Sequence, residues 1–463
     1  MAKEPKEAKE AKEPNEPARK EEKKHHLPSP REALASYTPD LPVVGVAKIS
    51  RALMRFLILG YPAVIHHDFD KREMKGKQVL ILAQHASRDD PYYVNKGYPF
   101  IQPNAVMSIH NVLIPVMFRL LLKDGVILKA LYEPDLGAMR HLMRLHRKGA
   151  SILLFPEGIE ATDGTTQPIH PATARLIKKL DMDTVLCTSH GAFLSTPRFD
   201  TIKRKGRIEY NFEMLFRKEE LKEMPEDELY TRLLEKFRYN DFKWNSEKQY
   251  SYKGKVPLAH GLDNILFICP RCKKQYTMRV EGEKLVCDCG SVVTIDDKYN
   301  LIPNEPNEMD DRNNATAFPF KRIDQWYSWQ QDIIAEEVKH EDFAMREDVT
   351  YLKLNLDDLK KGRYIYAGEG RIEVDREHFR YIGTKDGEDV ELEFDISRMP
   401  SATISKDQTN QFYYDGEYYR FVNKVDRRRS VKIMLAVETL HEMGDPERRK
   451  AREDVRENPH IDI

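Results

Sequence analysis

Neither sign of charge dominates this 463-residue chain: 75 Lys and Arg stand against 76 Asp and Glu. That balance removes the broad positive field of a dedicated nucleic-acid binder, so no nucleic-acid partner is expected. Cysteine is scarce as well, with five residues of which four crowd between 269 and 289, and the spread disulfide framework of a small secreted protein is excluded. The opening residues, MAKEPKEAKEAKEP, hold no apolar stretch of the kind a secretory signal needs. A reducing, cytoplasmic compartment is the expectation. With 33% charged residues and a mean hydropathy of −0.64, a multi-span membrane protein is excluded too.

What is present divides by texture, and at roughly 150 residues per domain the length points to about three domains. Residues 1–31 carry seven Lys, two Arg, seven Glu and five Pro; with so little to bury, residues 1–35 read as a disordered charged tail acting as a spacer. In 40–255, short apolar runs alternate with helical periodicity. Gln78–Ala83, Ser151–Phe155 and Thr184–Thr188 read as buried strands, and Asp135–Lys148 and Ala172–Leu180 as helices. A strand at Arg207–Phe216 and a helix at Glu226–Arg238 complete an α/β unit. The cysteines occupy 262–303. Residues 320–445 open with a helix around Trp326, Trp329 and Ile333, run through roughly seven short strands, and close with a helix at Val431–Met443. That pattern suggests a small β-barrel or sandwich with a C-terminal helix. The polar residues 446–463 read as a frayed tail.

Between 41 and 65 there is no acid, and Lys48, Arg51 and Arg55 recur at spacings of three and four, on one helical face. Ile49, Leu53, Phe56 and Leu57 fall on the other side. The uncharged run Phe56–Ile65 is half of the roughly 20 residues a membrane span requires. Two readings stand: a helix lying on a membrane surface with its cations at the head groups, or a core-packing helix whose cations face water.

His85 follows the first strand and Asp90 stands immediately before Pro91. A strand end turning into a helix can bring the two together, and Asp90 suits either a helix N-cap or a partner for the imidazole. Phe155-Pro156-Glu157-Gly158 ends another strand, where open α/β sheets bind ligands. Glu157 there can accept hydrogen bonds from loop amides or from substrate hydroxyls.

His85, Ser87 and Asp90 resemble the N-H-x-S-x-x-D block, and Phe155–Gly158 the F-P-E-G block, of the glycerolipid acyltransferases typified by 1-acylglycerol-3-phosphate acyltransferase. The 71-residue separation of His85 and Pro156 is similar to that family as well. The resemblance covers about 40–255 and implies an acyltransferase-type α/β domain. It makes His85 the general base on an acceptor hydroxyl, with Asp90 orienting it. It implies substrate contacts from Ser87, Phe155, Pro156, Glu157 and Gly158. The acyl donor would be acyl-CoA or acyl carrier protein, the acceptor a lysophospholipid or glycerolipid, and the protein peripheral at the cytoplasmic membrane face. Gln84 replaces the family's Asn, and Ile159 and Glu160 stand where Thr and Arg are usual. The Arg expected near Gly125 is missing, with Lys129 the nearest cation, and Leu186 replaces a common Pro. A non-catalytic lipid-binding scaffold on the same fold is the alternative.

Cys269-Pro-Arg-Cys272 and Cys287-Asp-Cys289 form two knuckles 14 residues apart, resembling a zinc ribbon. Four thiolates suit a closed structural zinc site; a disulfide pair and an iron centre are the alternatives. Cys187, alone in a strand, reads as a packing residue. The C-terminal β region is similar to pleckstrin-homology-like domains in topology, and Arg427-Arg428-Arg429 is either a lipid contact or a solvated turn.

Overall fold

Val79–Ala83 is buried at every position, as a strand in the middle of a parallel sheet with both faces covered must be. The computed structural model describes residues 27–99, 101–130, 136–304, 318–356 and 362–456. Its first sheet has strands β1 (Val64–His67), β2 (Val79–Ala83), β3 (Asn104–Ser108), β4 (Ile127–Lys129), β5 (Ile152–Leu154), β6 (Asp183–His190) and β7 (Glu209–Phe216) in the order β1-β7-β6-β2-β5-β3-β4. Strands β6, β2, β5, β3 and β4 run parallel, while β7 is antiparallel to β6. Alternation along β2 serves both faces. Leu80 and Leu82 meet the helices Leu136–Arg147, Ala172–Leu180 and Glu226–Phe237 through Leu145, Ile177 and Leu233. Val79, Ile81 and Ala83 point into a second core with Tyr93, Phe193 and Phe212.

A four-stranded antiparallel sheet follows, with β8 (Met278–Glu281), β9 (Lys284–Cys287), β10 (Val292–Ile295) and β11 (Leu301–Pro303). The C-terminal sheet holds β12 (Met345–Leu354), β13 (Tyr364–Val374), β14 (His378–Lys385), β15 (Glu388–Asp395), β16 (Asn410–Tyr414) and β17 (Glu417–Asn423). It is an antiparallel half-barrel in the order β15-β14-β13-β12-β17-β16. Among the described residues it has six strands, where the sequence suggested about seven. Asp386-Gly387 and Asp415-Gly416, all with positive φ, close its β14–β15 and β16–β17 hairpins, because a mirror-image turn matches strand twist. The helix Arg429–Gly444 packs into the same core as Val79 and Phe193.

Three expectations are corrected. The charged tail lies outside the described residues up to 26, but 30–36 is a helix. Ser29 and Glu32 form its capping box, and Ala33 is buried among Ile109, Leu354 and Tyr418. Residues 446–455 are helical rather than frayed, with Asp445 as N-cap. Arg452 there pairs with Glu438 at 2.9 Å and Glu442 at 2.7 Å; only 457–463 lie outside the described residues. In the helix Val44–Leu57 the cations do not share one solvent face. Arg51 turns inward, donating to Gln102 Oε1 at 2.9 Å and to the Pro99 carbonyl, while Ile49, Phe56 and Leu57 are exposed with Lys48 and Arg55. Side-chain length lets a guanidinium reach buried carbonyls where periodicity alone assigned it to water.

The tri-arginine turn is mostly spent within the protein. Arg428 pairs with Asp426 and Arg429 with Glu347.

Candidate active site

β2 ends at Ala83, and the chain turns there into the helix Asp90–Gly97. Gln84 fixes this exit: its side-chain oxygen accepts the Ser189 N–H at 2.7 Å and its amide donates to the Phe237 carbonyl at 2.5 Å. The Gln84 amide thus joins β6 and the end of the helix Glu226–Phe237 to the strand end.

His85 comes next, with its side chain 23% exposed. Its Nδ1 lies 3.5 Å from Asp90 Oδ2. The N-cap of the following helix is Asp89, and Asp90 is the first helical residue, so its carboxylate is free to turn toward His85. Oδ2 also accepts the Ser87 N–H at 2.7 Å, and Oδ1 accepts the Tyr210 hydroxyl at 2.5 Å. Burial leaves the Asp90 carboxyl above its ordinary value, although the His85, Tyr210 and Ser87 contacts pull it back toward the charged form. Burial pushes the His85 imidazolium down; the hydrogen bond and charge of Asp90, with the charges of Glu160 and Glu157, outweigh it and leave the imidazole above its ordinary 6.5. With Nδ1 directed at Asp90, Nε2 is the nitrogen left to accept a proton.

The second motif is laced to the first. Glu157 is buried and accepts the His85 N–H at 2.5 Å and the Gln167 N–H at 2.8 Å, while the Ala161 N–H donates to the His85 carbonyl at 2.8 Å. Burial drives the Glu157 carboxyl up to about 8, those two amides pulling it back. Its oxygens are thus used by loop amides, the first of the two roles open to it. Phe155 lays its ring 4.6 Å from that of His85, Pro156 is half-buried beside it, and Gly158 is exposed with φ +74.

Ser87 is buried and its hydroxyl accepts the Asp89 N–H at 3.2 Å, so it shapes the loop. Lys129 ends β4, on the same edge as His85 but three strands from β2, about 14 Å at ~4.8 Å per strand. It is not brought to the imidazole. Tyr210 was not legible as a site residue: nothing local marks a tyrosine in β7, and only the antiparallel pairing of β7 with β6 carries it to Asp90.

An apolar crevice opens between the helix Val44–Leu57 and the sheet, lined by Met54, Ile81, Val94, Leu121, Val126 and Leu153. A larger cavity, polar and lined by Asp163, Gln167, Arg322 and Arg452, does not include His85.

The four cysteines meet in a second centre. Their sulfurs lie within 4.8 Å of one another, with Cys269–Cys289 and Cys272–Cys287 both at 3.7 Å. A tetrahedral ion with metal–sulfur bonds of about 2.3 Å needs sulfurs about 3.8 Å apart, whereas a disulfide needs about 2 Å. The group fits a metal ion and none of the five cysteines is in a disulfide. Cys187 is buried, in the packing place expected for it.

No protein-family model matches the sequence, and no curated protein sequence matches it significantly. Among solved structures the chain is similar to the 1-acyl-sn-glycerophosphate acyltransferase PlsC from Thermotoga maritima, at 12% identity and a TM-score of 0.31, over 40% of this chain and 78% of that one. A likeness this distant leaves the chemistry to be argued from this chain's own geometry.

Proposed function

We propose that this protein is an O-acyltransferase that moves an acyl chain from a thioester, acyl-CoA or acyl carrier protein, to the hydroxyl of a lysophospholipid or related glycerolipid. One observation carries the reading: a partly exposed His85 at the carboxyl edge of a parallel sheet, its Nδ1 facing a buried Asp90 that two further donors hold. The motifs singled out in the sequence are the two segments that meet there.

Nε2 of His85 takes the acceptor's hydroxyl proton as that oxygen bonds to the thioester carbonyl carbon. The carbon–sulfur bond then breaks, and the proton passes from the imidazolium to the departing thiolate, leaving an ester and a free thiol. Asp90 stabilises the imidazolium in between. The apolar crevice beside β2 suits the acyl chain. Exposed Ile49, Phe56 and Leu59 with Lys48 and Arg55 suit a bilayer surface, and no described helix is long and apolar enough to cross one. Zinc is the ion we assign to the four cysteines, in a structural role, since no ligand position is left open. We read 40–255 as the transfer domain, 262–303 as a zinc ribbon and 320–445 as a pleckstrin-homology-like region.

The test is lipid mass analysis of purified protein incubated with labelled acyl thioester and a panel of lysolipids and uncharged glycerolipids. A labelled ester product, absent with His85→Ala, is expected; no product from any acceptor rejects the reading.

A further inference from the structure

Two charged atoms, one of them on the segment that follows the Phe155–Gly158 turn, are buried without a hydrogen-bond partner: Oε1 of Glu160 and Nζ of Lys406. They face each other at 3.8 Å, although 246 positions separate them in the chain. Glu160 follows the turn that binds His85. Lys406 belongs to the turn Ser405–Thr409 before β16, in which the Ser405 N–H donates to the Thr409 carbonyl and Gln408 is left-handed at φ +57. Arg420 clamps that turn through Asp407 at 2.7 and 2.8 Å and through Ser405 Oγ at 3.2 Å.

A second buried side chain locks the two segments together. Arg198, 6% exposed, donates to Thr403 Oγ1 at 2.6 Å, to the Ile404 carbonyl, and to the Glu160 carbonyl. The C-terminal sheet is thus fastened to the turn beside the imidazole, and it brings a cation. Around Lys406 stand Glu160, Arg88, Asp89 and Lys203, of which Lys203 is already paired with Asp89. The charges acting on His85 are those of Asp90 and Glu160, and of Glu157 where it is ionised. Burial pulls Lys406 down to about 8, Glu160 pulling it back up, so it is largely charged at pH 7.

Given His85 as the general base, we propose that Lys406 is a positioning residue of the transfer site, supplied by the C-terminal sheet. It offsets the Glu160 carboxylate and so sets how strongly that charge bears on the imidazole. A buried ion pair is an expensive way merely to dock two surfaces, because desolvation consumes most of its attraction and an apolar pair of like volume packs as well. An acid placed beside a base that must be neutral to act raises the base's pKa and removes it from work at lower pH. The lysine limits that effect.

The test follows the His85 imidazole by NMR in the full-length protein, with the pH profile of acyl transfer alongside. Lys406→Met should raise the His85 pKa by about half a unit to one unit, within the roughly one-unit scatter that surroundings produce in folded proteins. The acid limb of the transfer profile should move by the same amount. Lys406→Arg should leave both unchanged, and it keeps the question open to measurement if the Met variant does not fold. Glu160→Gln should lower the pKa. In that background Lys406→Met should add almost nothing, because without the Glu160 charge burial drives the amine toward its neutral form. An equal shift in both backgrounds, or a lowered melting temperature with no shift at all, overturns the proposal. If the wild-type protein transfers no acyl group, the transferase reading fails while the NMR result stands on its own.

Discussion

Three donors converge on the Asp90 carboxylate, from the His85 ring, the Ser87 amide and the Tyr210 hydroxyl. Its negative charge is what makes His85 a usable base. His85→Ala should reduce turnover about 10²- to 10⁴-fold, the usual contribution of a general base, with the melting temperature nearly unchanged because the ring is partly exposed. Asp90→Asn should cost roughly 10²-fold or more in kcat, since the amide keeps one oxygen to accept the Ser87 N–H or the Tyr210 hydroxyl, where the carboxylate accepts both, and being neutral does not stabilise an imidazolium. Tyr210→Phe should cost about ten- to a hundredfold, because a hydrogen bond to a charged group is worth about 1.5–3 kcal/mol. Steady-state kinetics on the three variants, with thermal melts beside them, separates these roles. The wild-type rate should fall on the acid side at a pH above 6.5, since His85 is raised above that value and only its neutral form accepts a proton; a midpoint below 6.5 contradicts the Asp90 pairing.

Among the elements, the helix Val44–Leu57 divides its residues between two environments. Ala47 and Ser50 are buried and Arg51 reaches inward, while Ile49 and Phe56, and Leu59 just beyond the C-cap, are exposed by 61, 68 and 71%. Replacing Phe56 and Leu59 together by Ser should lower co-sedimentation with anionic vesicles by tenfold or more, at about 1.5–3 kcal/mol for each large apolar side chain withdrawn from lipid. Lys48→Gln with Arg55→Gln should weaken attachment mainly at low salt. Arg51→Gln is expected to lower the melting temperature instead, and unchanged vesicle binding in the Phe56, Leu59 variant places membrane contact elsewhere. The cysteine centre is a second element with its own test. Elemental analysis should find one zinc per chain, and chelation should destabilise the protein through the β8–β11 sheet, because the ion would tie together two knuckles whose sulfurs otherwise approach no closer than 3.7 Å. An iron chromophore, or a metal-free protein with that sheet intact, contradicts it.

Over the whole molecule, one core runs from β2 through Phe267 and Leu285 of the cysteine region to Phe379 and Val437 of the C-terminal part. The fastenings are specific. The buried Trp326 indole donates to the Ile268 carbonyl at 2.9 Å, and Gln330 accepts the Ile268 N–H at 2.7 Å while donating to the Ile265 carbonyl at 2.8 Å. Calorimetry of the metal-loaded protein should therefore show one cooperative transition, since no sheet can leave without opening the others' core. Well-separated transitions would mean that the three sheets unfold independently.

The sequence by itself determined the local features. Unbroken apolar runs specify β2, β5 and β6, because a strand buried on both faces has no polar side to present. Asp-Gly pairs specify the tight hairpins of the C-terminal sheet, and the spacing of Cys269, Cys272, Cys287 and Cys289 specifies which sulfurs meet. His85, Asp90 and Glu157 were legible because short motifs place them at strand ends. Only the tertiary structure decided what depends on pairing across distance. It carried Tyr210 to Asp90 and turned Arg51 away from water. Glu157 was committed to two backbone amides, and Lys406 was set against Glu160 from the far end of the chain. Periodicity reports which face of an element is apolar but not which partner covers it, and a contact between residues 246 apart leaves no trace in either one's neighbours.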